Sequence, residues 1–126
     1  MCSRAFVSVC MLTVLLANAG CMTTDELAPP AEVVIGGLSS SSSATVLCDE
    51  DRAEIAHGRF LYITECAACH APERVLAHTM NAWDEILPRM AKESKFSDAE
   101  TAAVRAYVAA VHRWGDPRAG NTTPDG

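Results

Sequence analysis

Aromatic side chains are scarce, with three Phe, two Tyr and two Trp in 126 residues, and every one except Phe6 lies between positions 60 and 114. A large core is therefore excluded, and what core there is must sit in the second half of the chain. Basic residues are also few, ten against sixteen acids, for a formal net charge of −6. A protein that binds nucleic-acid phosphates needs a basic face, so no nucleic-acid partner is expected. No apolar run reaches the length of a membrane span, the longest extending only from Ala5 to Leu16. Strand-like alternation and internal repeats are missing as well, which leaves an all-α chain as the expected fold class.

What is present begins with a leader. Met1-Cys2-Ser3-Arg4 is a short basic start, followed by the apolar run and by Ala17, Ala19 and Gly20 ahead of Cys21. Residues 1–20 read as a secretory signal. Its end admits two processing schemes. Small residues before Cys21 resemble a bacterial lipoprotein box, which would make Cys21 the acylated first residue of a membrane-anchored periplasmic lipoprotein, while Ala17-Asn18-Ala19 also fits an A-x-A cleavage site. Removing residues 1–20 takes away Arg4 and no acid, so the mature charge becomes −7. Residues 21–48 hold Pro29-Pro30, Gly36-Gly37 and a serine run from Ser39 to Ser43, and read as a flexible tether. The patch Val33 to Ile35 leaves open a stray strand or a clasp on the domain. The tail, residues 117–126, is polar and expected to be disordered.

Helical signals fill residues 49–116. Glu50, Asp51 and Glu54 suit the first turn of a helix carrying Ile55, Gly58, Phe60, Leu61 and Tyr62. Trp83, Ile86, Leu87 and Met90 share a face at i, i+3, i+4, i+7, with Pro88 expected to bend or open the turn beside Met90. Ser97-Asp98-Ala99-Glu100 is a capping box for a third helix with Val104, Tyr107, Val108 and Val111 on its apolar face, stopped by Gly115-Asp116-Pro117. A glycine within a helix is unfavourable against alanine by about 1 kcal/mol, so Gly58 is expected where another helix crosses closely. His57 and His112 are expected at the surface.

The chemistry lies in Cys66-Ala67-Ala68-Cys69-His70. Covalent attachment of haem needs two thiols spaced to reach its two vinyl groups and a histidine directly after them to ligate iron, and Cys66, Cys69 and His70 meet that need. Two alternatives share the Cys-x-x-Cys element. A thioredoxin-like dithiol belongs with βαβ units, which the pattern lacks, and a zinc site would require His78 as a fourth ligand with Cys69 and His70 awkwardly adjacent. Cys2 and Cys10 leave with the leader. Cys48 is left over, an unpaired thiol if Cys21 is acylated and a candidate disulfide partner for it if not.

Gly58-Arg59-Phe60-Leu61-Tyr62 followed by the Cys-x-x-Cys-His motif resembles the opening of class I bacterial cytochromes c, in which a glycine and an aromatic on the first helix cross the last one, with Tyr107 as the facing aromatic. The stretch from Trp83 to Met90, then Ser97 to Tyr107, looks like short monohaem cytochromes with a W-x-x-h-x-x-x-M pattern. The resemblance covers roughly residues 50–114. It implies a cytochrome c-like domain of three to four helices around one covalent haem c, with Trp83 against the haem and Met90 as the distal ligand of iron.

Which side chain takes the sixth position decides the chemistry. Thioether opposite histidine raises the reduction potential and suits an electron carrier, whereas an open position suits gases or peroxide. Met90 follows His70 by twenty residues, far enough for a loop to round the haem edge. Met80, His78 and His112 also follow the motif, and a methionine on an apolar stripe is often plain core. The expected function is electron transfer between periplasmic or membrane redox partners, with no catalytic residues. A small haem peroxidase or gas-binding protein is the alternative, set back by the lack of a legible distal histidine–acid pattern.

Overall fold

The computed structural model describes residues 23–40 and 46–116, and among them all regular structure is helical. Five α-helices follow in order: α1 (Thr24–Leu27), α2 (Ala31–Ser40), α3 (Asp49–Thr64), α4 (Met80–Ser94) and α5 (Asp98–Trp114). Two 3-10 turns, Cys66–Ala68 and Val75–Ala77, break the connection from α3 to α4. The leader, Cys21 and the tail lie outside the described residues.

Capping chemistry sets the helix ends. Ser97 Oγ accepts from the Glu100 amide while the Glu100 carboxylate accepts from the Ser97 amide, so two otherwise orphaned donors are satisfied at the start of α5. These bonds hold the Glu100 carboxyl below its usual range. Thr79 caps α4 through the Ala82 amide. At the far end of α4, Lys95 adopts φ 57°, the left-handed turn that ends helices. Pro88 withholds one donor from α4, yet the helix continues through it to Ser94.

The main seam is α3 against α5. Its closeness is set by Gly58: a Cβ there would lie 1.9 Å from the Ala103 carbonyl oxygen and 2.9 Å from Tyr107 Cβ. Ile55, Leu61 and Tyr62 join Val104, Tyr107, Val108 and Val111 in the core. Tyr62, not the exposed Phe60, is the aromatic of α3 that meets Tyr107, at 6.0 Å between ring centroids.

The stretch expected to be a flexible tether is different. Of residues 21–48, Thr24–Leu27 and Ala31–Ser40 form α1 and α2, and Ala28, Ala31, Val34, Ile35 and Leu38 are buried in the same core. Polar clamps reinforce the burial. Arg59 donates to the carbonyls of Ala28 and Pro29 at 3.2 and 3.1 Å and to Asp25 at 2.6 Å, and Tyr107 Oη donates to Pro29 at 2.8 Å. Gly37 lets the Trp114 ring approach so closely that a Cβ would stand 2.4 Å from Cδ1. The clasp reading of the Val33 to Ile35 patch is thus the arrangement observed, in helical form. Among the described residues, no helix is long and apolar enough to cross a membrane.

Candidate functional site

A cavity of about 220 Å³ opens between the end of α3, the loop after it and α4. Cys66, His70, Trp83 and Met90 all line it, four of the five residues expected at the site. Cys69 does not line it. It caps the 3-10 turn Cys66–Ala68 and is exposed.

Two buried aromatics hold the loop. Tyr62 Oη donates to the Glu73 carbonyl at 2.6 Å, and Trp83 Nε1 donates to the Val75 carbonyl at 2.9 Å. The two rings meet edge to face at 6.0 Å, so α3 and α4 grip the same segment from adjoining positions. Burial pushes the Tyr62 hydroxyl well above its ordinary range, keeping it a donor. Trp83, only 4% exposed, is core and cavity wall at once.

The polar groups differ in what they leave free. His70 Nδ1 lies 2.8 Å from the Ala71 carbonyl, which can only accept, so in the neutral ring Nδ1 carries the proton and Nε2 keeps its lone pair. Burial, with a smaller contribution from Glu65, raises the Cys66 thiol. A catalytic dithiol has the opposite requirement, a lowered thiol pKa. His78 also lines the cavity, with Nε2 on the Glu73 carboxylate and its ring edge-on to Trp83 at 5.4 Å. A histidine–acid pair therefore does face the cavity, contrary to the sequence reading; the two lie five residues apart across the 3-10 turn Val75–Ala77, where no amphipathic periodicity reveals them. Arg89, beside Met90, lines the cavity too.

Two other residues fall elsewhere. Met80 lines a separate depression with Leu76 and His112. His112, expected at the surface, is half-buried, and its Nε2 is buried without a hydrogen-bond partner. Burial lowers its pKa against the opposing pull of the Val75 and His78 carbonyls. Cys48 is exposed at the N-cap of α3 and makes no disulfide among the described residues.

The donor set suits a covalently held haem: a thiol, an imidazole with free Nε2, a thioether, and apolar wall from Trp83, Ile86 and Leu87. The volume lies below the roughly 300 Å³ at which ligand pockets begin, so a macrocycle would need space beyond the cavity as it stands. No family model, curated protein or solved structure matches this chain.

Proposed function

We propose that this protein is a small exported c-type cytochrome that passes single electrons between periplasmic or membrane-bound redox partners. The observation that carries the reading is the meeting of Cys66, His70, Trp83 and Met90 at one cavity, although they come from two separate segments of the chain, the loop after α3 and α4. When bound, haem supplies a one-electron ferric–ferrous couple, its potential raised by histidine–thioether ligation. Cys66 and Cys69 tether the group, and His70 offers Nε2 to the metal while the Ala71 carbonyl holds its other nitrogen. Met90 is favoured as the second ligand because Met80 lies outside the cavity and His78 Nε2 is engaged by Glu73. Trp83, Ile86 and Leu87 exclude water from the group's face. Cys21 remains the proposed lipid attachment in a membrane-anchored form.

The second reading, an open distal site for a gas or peroxide, draws on His78, Glu73 and Arg89 lining the same cavity. One experiment separates the two. Protein made in a host competent for haem attachment should carry one haem that survives acid–acetone extraction, and its ferric form should show the weak far-red charge-transfer band of thioether ligation. A bare polypeptide mass overturns the cytochrome reading. A high-spin spectrum with rapid carbon monoxide binding replaces the carrier by the gas or peroxide protein.

A further inference from the structure

The cavity contains one more iron donor than a His–Met carrier can use. His78 stands on it together with Met90, and an imidazole is a strong ligand for haem iron. Something must therefore keep His78 away if Met90 is to bind.

We propose that Glu73 is a positioning residue that selects the sixth ligand, holding His78 by Nε2 so that its imidazole stays off iron and the place falls to Met90. This rests on the haem reading above. A carboxylate can only accept, so the contact puts the proton on His78 Nε2, and a protonated nitrogen has no lone pair to give a metal. The nitrogen left over, Nδ1, sits beside the ring's attachment carbon, where the main chain crowds any approach to a flat macrocycle. The ring is held from a second side by its edge contact with Trp83, itself fixed to the Val75 carbonyl. Glu73 performs its two tasks with different atoms. Its main-chain carbonyl accepts from Tyr62 and anchors the loop, while its side chain alone reaches His78, so truncating the side chain leaves the anchor in place.

The test uses ferric holoprotein and reads the thioether band, the spin state and the reduction potential in the wild type, Glu73→Ala, His78→Gln and the double variant. Wild type and His78→Gln should both show the band. Glu73→Ala should lose it while staying low-spin, with a lower potential, as imidazole replaces thioether. Adding His78→Gln to Glu73→Ala should restore band and potential, a rescue that general disruption of the loop would not give. The assignment is overturned if Glu73→Ala keeps the band, or if the double variant fails to regain it. A wild type that is low-spin without the band overturns Met90 ligation itself, a failure distinct from that of the Glu73 latch because it shows before any substitution is made.

Discussion

Gly58→Ala tests the seam on which the domain is built. Inside a helix, alanine is favoured over glycine by about 1 kcal/mol, so with room available the change would stabilise. There is no room: the new Cβ would stand 1.9 Å from the Ala103 carbonyl oxygen, 2.5 Å from its carbon and 2.9 Å from Tyr107 Cβ. Two of those atoms are backbone of α5, which no rotamer change can move. Regaining ordinary contact at 3.4 Å requires α3 and α5 to separate by roughly 1.5 Å, opening a core to which both helices contribute. Overpacking of this kind costs about 1–3 kcal/mol, and more when the backbone itself must shift. After the propensity gain, a net loss of about 2 kcal/mol is expected, lowering Tm by about 8–16 °C for a domain of this size. Gly36→Ala is the control, since a Cβ there meets nothing within 4 Å, and it should stabilise by up to about 1 kcal/mol. Thermal melts followed by far-UV circular dichroism measure both. A Gly58→Ala protein as stable as wild type, beside a Gly36→Ala that behaves as expected, would refute the close-crossing argument.

Tyr107→Phe removes one of the two donors to the Pro29 carbonyl, Arg59 Nε remaining, and should cost about 0.5–1 kcal/mol, with faster amide hydrogen exchange across α2 than across α4. Trp83→Phe removes the bond to the Val75 carbonyl and should cost about 1–3 kcal/mol in denaturant unfolding. His112 gives a pH signature. Because burial lowers its folded pKa, the unfolded chain takes up a proton first, so stability should fall as pH drops below about 6.5 and level off once the folded group also titrates. Denaturation midpoints from pH 8 to 5 should lose that part of their slope, to about half a pH unit in resolution, in His112→Gln.

The helices of residues 49–116 were legible because their signals are local. Ser97 and Glu100 sit at capping-box spacing and make both bonds, and the stripe Trp83, Ile86, Leu87, Met90 does face the interior. Gly58 was legible through its unfavourable propensity alone. The N-terminal helices were missed although Ala31, Val34, Ile35 and Leu38 stand at i, i+3, i+4, i+7. Pro29-Pro30, Gly36-Gly37 and the serines read as breakers, yet Pro30 lies just before the helix, where a missing amide donor is harmless, and Gly37 is needed under the Trp114 ring. The Glu73–His78 contact could not be read at all, because it depends on how Tyr62 and Trp83 fold the loop back.

Apart from Tyr62 and Trp83, which do both, the residues that build the cavity and those that make it rigid are different, and this decides how variants should be interpreted. No residue of α5 or of the N-terminal helices lines the cavity. Their influence passes through the Gly58 crossing, through Tyr107, which touches Tyr62, which in turn holds the Glu73 carbonyl, and through His112, which faces the Val75 and His78 carbonyls. In the proposed haem-loaded protein, substitutions on α5 other than at His112, or at the Arg59–Asp25 clamp, should therefore change stability while leaving the ligation spectrum of the folded fraction as it was. Substitutions at Glu73, His78 or Met90 touch exposed or half-buried groups on the loop and α4, and should change the spectrum at small cost in stability. A variant of the first set that alters ligation in fully folded protein would mean that the loop is held less firmly than its two carbonyl anchors imply, and that the sixth ligand is chosen by the whole helical frame rather than by Glu73.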